Sequence, residues 1–140
     1  MGETGAGTVT KLVYNLMSAV QTVALAEGLA LAESAGLSLE QVISVIMSGG
    51  PSNPLMGRNA PLMAAHHYGE TQFALHTIRK DVLYALSLAD ELGASLATGS
   101  AALGVYRIAE ELGYDDAEFA AVFEAVCKCP RSTAKNFGSY

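Results

Sequence analysis

A chain of 140 residues fits one domain with a real core. It is 51% hydrophobic and only 16% charged, so either the core is large for the length or a partner covers apolar surface. The net charge of −6 argues against nucleic-acid binding, which rests on clustered Lys and Arg.

In chain order, residues 8–35 read as one long helix. Its apolar positions are Leu12, Leu16, Val20, Val23, Ala24, Ala30 and Leu31, and Gly36 is its stop. At 1.5 Å per residue it spans roughly 40 Å and projects from so short a chain unless something packs beside it. That favours a dimer or a neighbouring domain. Asn15, Gln21, Glu27 and Glu33 interrupt its apolar run, so no membrane crossing is expected. Ser38, Leu39, Glu40 and Gln41 form a capping box opening a second helix to about Met47.

Residues 48–61, SGGPSNPLMGRNAP, are dense in Gly and Pro, and no helix is expected through them. Ser48, Gly49 and Gly50 are the expected mobile loop. Met47, Met56 and Met63 flank the segment and suit either irregular core gaps or a flexible pocket edge. Helices follow at 78–92, stopped by Gly93, and at 100–112, stopped by Gly113. Asp115, Asp116, Ala117 and Glu118 cap a last helix to about Cys129, ended by Pro130. The polar tail, 130–140, is expected to fray, and Lys128, Arg131 and Lys135 form a weak basic cluster at a solvated end. With no strand alternation and no repeat, the fold class is all-α: one multi-helix domain over 2–129, built around one long helix.

Cys127 and Cys129 are too few for a zinc site and read as ordinary thiols in a reducing compartment. His66, His67 and His76 read as loop or surface residues, and no metal site is expected. The Gly-rich opening lacks the basic segment of a signal peptide, and the expected location is cytoplasmic.

The chemistry concentrates in the opening, GETGAGTVTKLVYN, which carries Gly2, Gly5, Gly7, Lys11 and Asn15. A Walker A loop fails, because Lys11 does not follow a glycine, and a dinucleotide fingerprint fails at Thr10. Two readings remain. In one, the glycines make a tight entry, Thr8 caps the helix, and Lys11 and Asn15 are surface residues on one face. In the other, a lysine in the first turn has its pKa lowered by the helix dipole and serves as general acid and base. Gly5 and Gly7 then let a ligand approach the backbone, and Asn15 hydrogen-bonds it.

The pattern G-x-x-G-x-G-x-x-x-K-x-x-x-N resembles the catalytic motif of the β-hydroxyacid dehydrogenase family, which includes 3-hydroxyisobutyrate dehydrogenase. A second block, Phe73 to Asp81, resembles that family's F-x-x-x-x-x-x-K-D segment, and the later ELG and GYDDAEFAAV stretches resemble its final helices. The resemblance covers about 2–127.

It implies the all-α C-terminal domain of the 6-phosphogluconate and 3-hydroxyisobutyrate dehydrogenases, and hydride transfer between NAD or NADP and a small 3-hydroxy acid or its semialdehyde. Lys11 would be the catalytic general acid and base. Asn15, Gly5, Gly7 and Phe73 would bind substrate, Lys80 would reach the cofactor, and Asp81 would orient a neighbour. The resemblance also implies a homodimer and a Rossmann domain, in cis or in trans, that binds most of the cofactor. No dinucleotide fingerprint occurs in this sequence, so that domain is expected to be absent from the chain. The rival expectation is a non-catalytic helical dimerisation module derived from the same family.

Overall fold

The computed structural model describes residues 3–127, with side-chain environments from residue 5; the tail, Lys128, Cys129 and Gly2 lie outside. Six α-helices and a 3₁₀ turn make up the described residues. They are α1 (Glu3–Ser34), α2 (Leu39–Ser48), α3 (Pro54–Ala65), α4 (Leu75–Leu92), α5 (Ala97–Glu111), the 3₁₀ turn Phe119–Ala121 and α6 (Val122–Cys127).

The spine is α1, which contacts all five other helices. Its buried positions, Ala19, Val23, Ala26 and Leu29 among them, face α4, α5 and α6. Alanines on α1 and α5 let the backbones approach, and Phe123 and Tyr106 fill the space between. The Tyr106 hydroxyl donates to the Ala19 carbonyl at 3.0 Å. By length and composition alone α1 could cross a membrane. Its buried Asn15 and Thr22 pair with Asp81 and Asn59 of neighbouring helices, which is the pattern of a core helix.

Gly36, Gly93 and Gly113 all take positive φ, 77°, 77° and 93°, after the helices they were expected to stop. Ser38 caps α2 by accepting from the Gln41 N–H at 3.4 Å.

Helices α4 and α5 each begin three residues earlier than the sequence reading, and three differences are larger. First, α1 begins at Glu3, so Gly5 and Gly7 lie inside it and Thr8 is not its cap. Second, α3 runs through the segment expected to be irregular. Asn53 caps it, its Oδ1 accepting from the Met56 N–H at 2.9 Å, and Pro54 occupies the first turn, where a missing N–H costs nothing. The helix also tolerates Pro61, an exposed interior position, and ends at His66 in the left-handed conformation. Third, Asp115 and Asp116 do not cap the last helix. The chain makes the 3₁₀ turn before α6, and Glu118 precedes that turn without a side-chain cap.

Met63 is fully buried, while Met47 and Met56 lie at the edge. His66 pairs with Glu124 and lies 3.9 Å from Glu33. Burial and the nearby Glu33 push the Cys127 thiol up to about 12, so it stays protonated at neutral pH.

Burial also raises the Tyr106 hydroxyl far above its ordinary 10.0. A raised folded-state value means stability that is full below about pH 10 and falls as pH rises above it. Tyr106→Phe should cost about 1 kcal/mol at neutral pH through the lost hydrogen bond. It should also remove a slope of about 1.4 kcal/mol per pH unit above pH 10. Urea unfolding between pH 7 and 11 measures both; an unchanged alkaline slope would rule the account out.

Candidate active site

Lys11 and Asn15 occupy successive turns of α1, so their side chains share a face. That face meets α4 at Asp81. The Asn15 Nδ2 donates to Asp81 Oδ2 at 2.5 Å, and the Lys11 Nζ lies 3.8 Å from the same oxygen. Asn15 and Asp81 are buried, whereas the Lys11 side chain is 65% exposed. A buried carboxylate thus fixes the amide and draws an otherwise free ammonium toward it. Because α1 starts at Glu3, Lys11 lies about 12 Å from the helix N-terminus. The helix end, whose influence fades within the first turn, does not act on it. The charge that does is Asp81.

Beside Asn15 lies a cavity of about 170 Å³. Tyr14, Asn15 and Ser18 of α1 form one wall, and Leu55 and Arg58 of α3 form another. Phe73, Ile78 and Phe119 close it, the two phenylalanines packed edge to face at 5.8 Å. The floor hangs on Glu118, which is fully buried. Its Oε2 accepts from the backbone N–H groups of Gln72 and Phe73 at 2.7 and 3.0 Å, and its Oε1 from Arg58 Nη2 at 2.8 Å. One carboxylate thereby joins α3, the segment before α4 and the 3₁₀ turn.

Of the residues expected at the site, the structure brings Lys11, Asn15, Asp81 and Phe73 together. Gly5 and Gly7 do not line the cavity; Gly7 is exposed, with open space where a Cβ would stand. Lys80 is exposed on α4, its Nζ 6.0 Å from the Tyr84 ring centre, and it does not join the Lys11 cluster. Arg58 and Glu118 were missed as a pair. Their 60-residue separation hides the contact, and the only signal was an arginine inside a segment read as irregular.

Lys80 is an exposed cation that suits a nucleotide phosphate. The Gly-rich turn that would cradle its pyrophosphate is not among these residues.

A lysine drawn to a buried carboxylate, a fixed amide and a small half-apolar cavity together make a candidate site for a small oxygenated ligand. A family profile described as "NAD-binding of NADP-dependent 3-hydroxyisobutyrate dehydrogenase" matches residues 5–126, and the chain belongs to that family of NAD(P)-dependent hydroxyacid dehydrogenases. Among its relatives, glyoxylate/succinic semialdehyde reductase 1 of Arabidopsis thaliana is 34% identical over 90% of this chain and 43% of its own length. The cytokine-like nuclear factor N-PAC of Anopheles gambiae is 32% identical over 88% of this chain and 22% of its own. A 3-hydroxyisobutyrate dehydrogenase of Salmonella typhimurium superposes with a TM-score of 0.81 at 26% identity, covering 86% of this chain and 42% of that one. The chain thus spans less than half the length of these relatives.

The asymmetry in burial sets a stability test. Asp81→Ala strands the Asn15 amide and should cost about 1–3 kcal/mol in chemical denaturation. Lys11→Ala, at an exposed position, should stay within about 0.5 kcal/mol of the parent. Equal losses would mean that Lys11 is a structural residue.

Proposed function

We propose that this chain is the helical half of an NAD(P)-dependent enzyme that interconverts a small 3-hydroxy acid and its semialdehyde. The observation that carries the reading is the exposed Lys11 ammonium held by a buried Asp81 beside Asn15. Bound nicotinamide supplies or takes the hydride. Lys11 gives a proton to the substrate oxygen as the carbonyl is reduced and takes it back in the reverse direction. Asn15, immobilised by Asp81, donates the second proton of its amide to hold the substrate. Phe73 and Phe119 keep water from the far side. Lys80 contributes one contact to the cofactor, and the open backbone at Gly7 leaves room for the substrate to approach.

Homodimer formation belongs to the same reading. No residue between 5 and 14 is buried, and Val13, Tyr14 and Met17 are half or more exposed. A second, larger apolar depression of about 360 Å³ lies between α1 and the start of α5. A partner copy and a dinucleotide-binding domain, in cis or in trans, would cover this surface. The rival reading is a non-catalytic helical dimerisation module derived from the same family.

The test is turnover. The chain is mixed with a dinucleotide-binding domain from a family member, and NADPH and NADH oxidation are followed with glyoxylate and succinic semialdehyde. Hydride transfer should appear on mixing, and Lys11→Ala should reduce kcat by about 10²–10⁴-fold. Lys80→Ala should weaken cofactor binding in a fluorescence titration. A dimeric chain whose turnover ignores Lys11→Ala, or never appears, would make it the dimerisation module instead.

A further inference from the structure

The cavity beside Asn15 holds one charged side chain, and the proton transfer above does not use it. Arg58 stands in its wall, 35% exposed, against a Glu118 that is fully buried. Their contact is single, Nη2 to Oε1, and Arg58 has no other partner among the described residues. The other carboxylate oxygen rests on two backbone N–H groups, so peptide dipoles carry part of its charge. A guanidinium offers five N–H donors in a planar fork. With a single contact, through Nη2, it retains N–H donors for a second partner at the cavity it lines. The surroundings suit a small acid. Ser18 and Asn15 add polar groups, and Leu55, Ile78 and Phe119 suit a few methylenes.

We infer that Arg58 is the anion anchor of this cavity, and that it selects short-chain carboxylates, with the acid group on the guanidinium and the oxygenated carbon toward Lys11. The inference rests on the dehydrogenase reading and adds the acid end of its substrate. Asn15 lines the cavity with Arg58 and stands one helical turn, about 6 Å along the axis, from Lys11. A cavity of about 170 Å³, small beside the ~300–1,000 Å³ of sites for larger ligands, matches an acid of a few carbons. Glu118 is then a positioning residue that acts through Arg58.

The experiment is an NMR titration of the ¹⁵N-labelled chain with 3-hydroxypropionate and with 3-hydroxypropionamide, its neutral counterpart. The acid should shift the Asn15 side-chain amide and the Arg58 guanidinium signals and bind about tenfold or more tighter than the amide. Arg58→Met should abolish that preference. Because this change strands Glu118, it is also made with Glu118→Gln, and the acid–amide comparison on the unaltered chain needs no variant. Equal affinity for acid and amide, or a preference that survives the double variant, overturns the anchor. Turnover separates the two ideas. If the preference fails while Lys11→Ala still abolishes hydride transfer, only the anchor falls. If it depends on Arg58 while Lys11→Ala changes nothing, the anion site stands without the dehydrogenase reading.

Discussion

One helix has to serve as both core and active-site wall, and the rest of the domain follows from that constraint. The lower part of α1 is buried on the face that meets α4, α5 and α6, where alanines allow close approach. Its upper part carries Lys11 and Asn15 at the edge of that packing. A rigid helix running through the core transmits its position to both ends. Lys11 and Asn15 are therefore held by the hydrophobic packing of Val23, Ala26 and Leu29 several turns away.

Two buried carboxylates convert that packing into polar geometry. Asp81 ties α4 to Asn15, and Glu118 ties α3 to the backbone before α4. Burying a carboxylate costs several kcal/mol unless it is paired and hydrogen-bonded. Glu118 meets that condition with two peptide donors and an arginine. Asp81 meets it with a side-chain amide and with Lys11, whose ammonium is mostly in water. The difference fits their positions. Glu118 has three fixed donors and braces the cavity floor. Asp81 has one fixed donor and one mobile cation, which leaves the ammonium free to move toward a ligand.

The sequence made the periodic and local features legible, and the long-range polar ones stayed hidden. Lys11 and Asn15 are four residues apart, and helix geometry alone places them on one face. Gly36, Gly93 and Gly113 are stops whose physics is local. Asp81 could be read as orienting a neighbour, although its partner, 66 residues away, could not be named from spacing. Helix α3 was lost because Asn53 and Pro54 were read as breakers, when the same pair is an N-cap followed by a first-turn proline. Glu118 was read as part of a cap because acidic residues before a helix usually are. Only the fold shows that its carboxylate turns back onto residues 72 and 73.

The start of α1 is the one region where local and tertiary forces disagree. Gly5 and Gly7 each weaken a helix by about 1 kcal/mol relative to alanine, and no residue between 5 and 14 is buried against this chain. Intrahelical bonds such as Thr10 Oγ1 to the Ala6 carbonyl, 2.8 Å, support it locally. Glycines in a helix lower its stability but remove side chains from its surface, and at Gly7 the space over the backbone is open. That exchange is favourable only if something else comes close enough to use the uncovered backbone. The same helix presents Val13, Tyr14 and Met17 to that space, and Lys11 between the glycines and the cavity. A weakened, glycine-bearing helix flanked by exposed apolar residues is therefore best understood as half of an interface. Under the proposed dehydrogenase reading, the reacting centre would lie where α1 meets the surface that covers it, with this domain supplying one wall, the proton and the acid anchor.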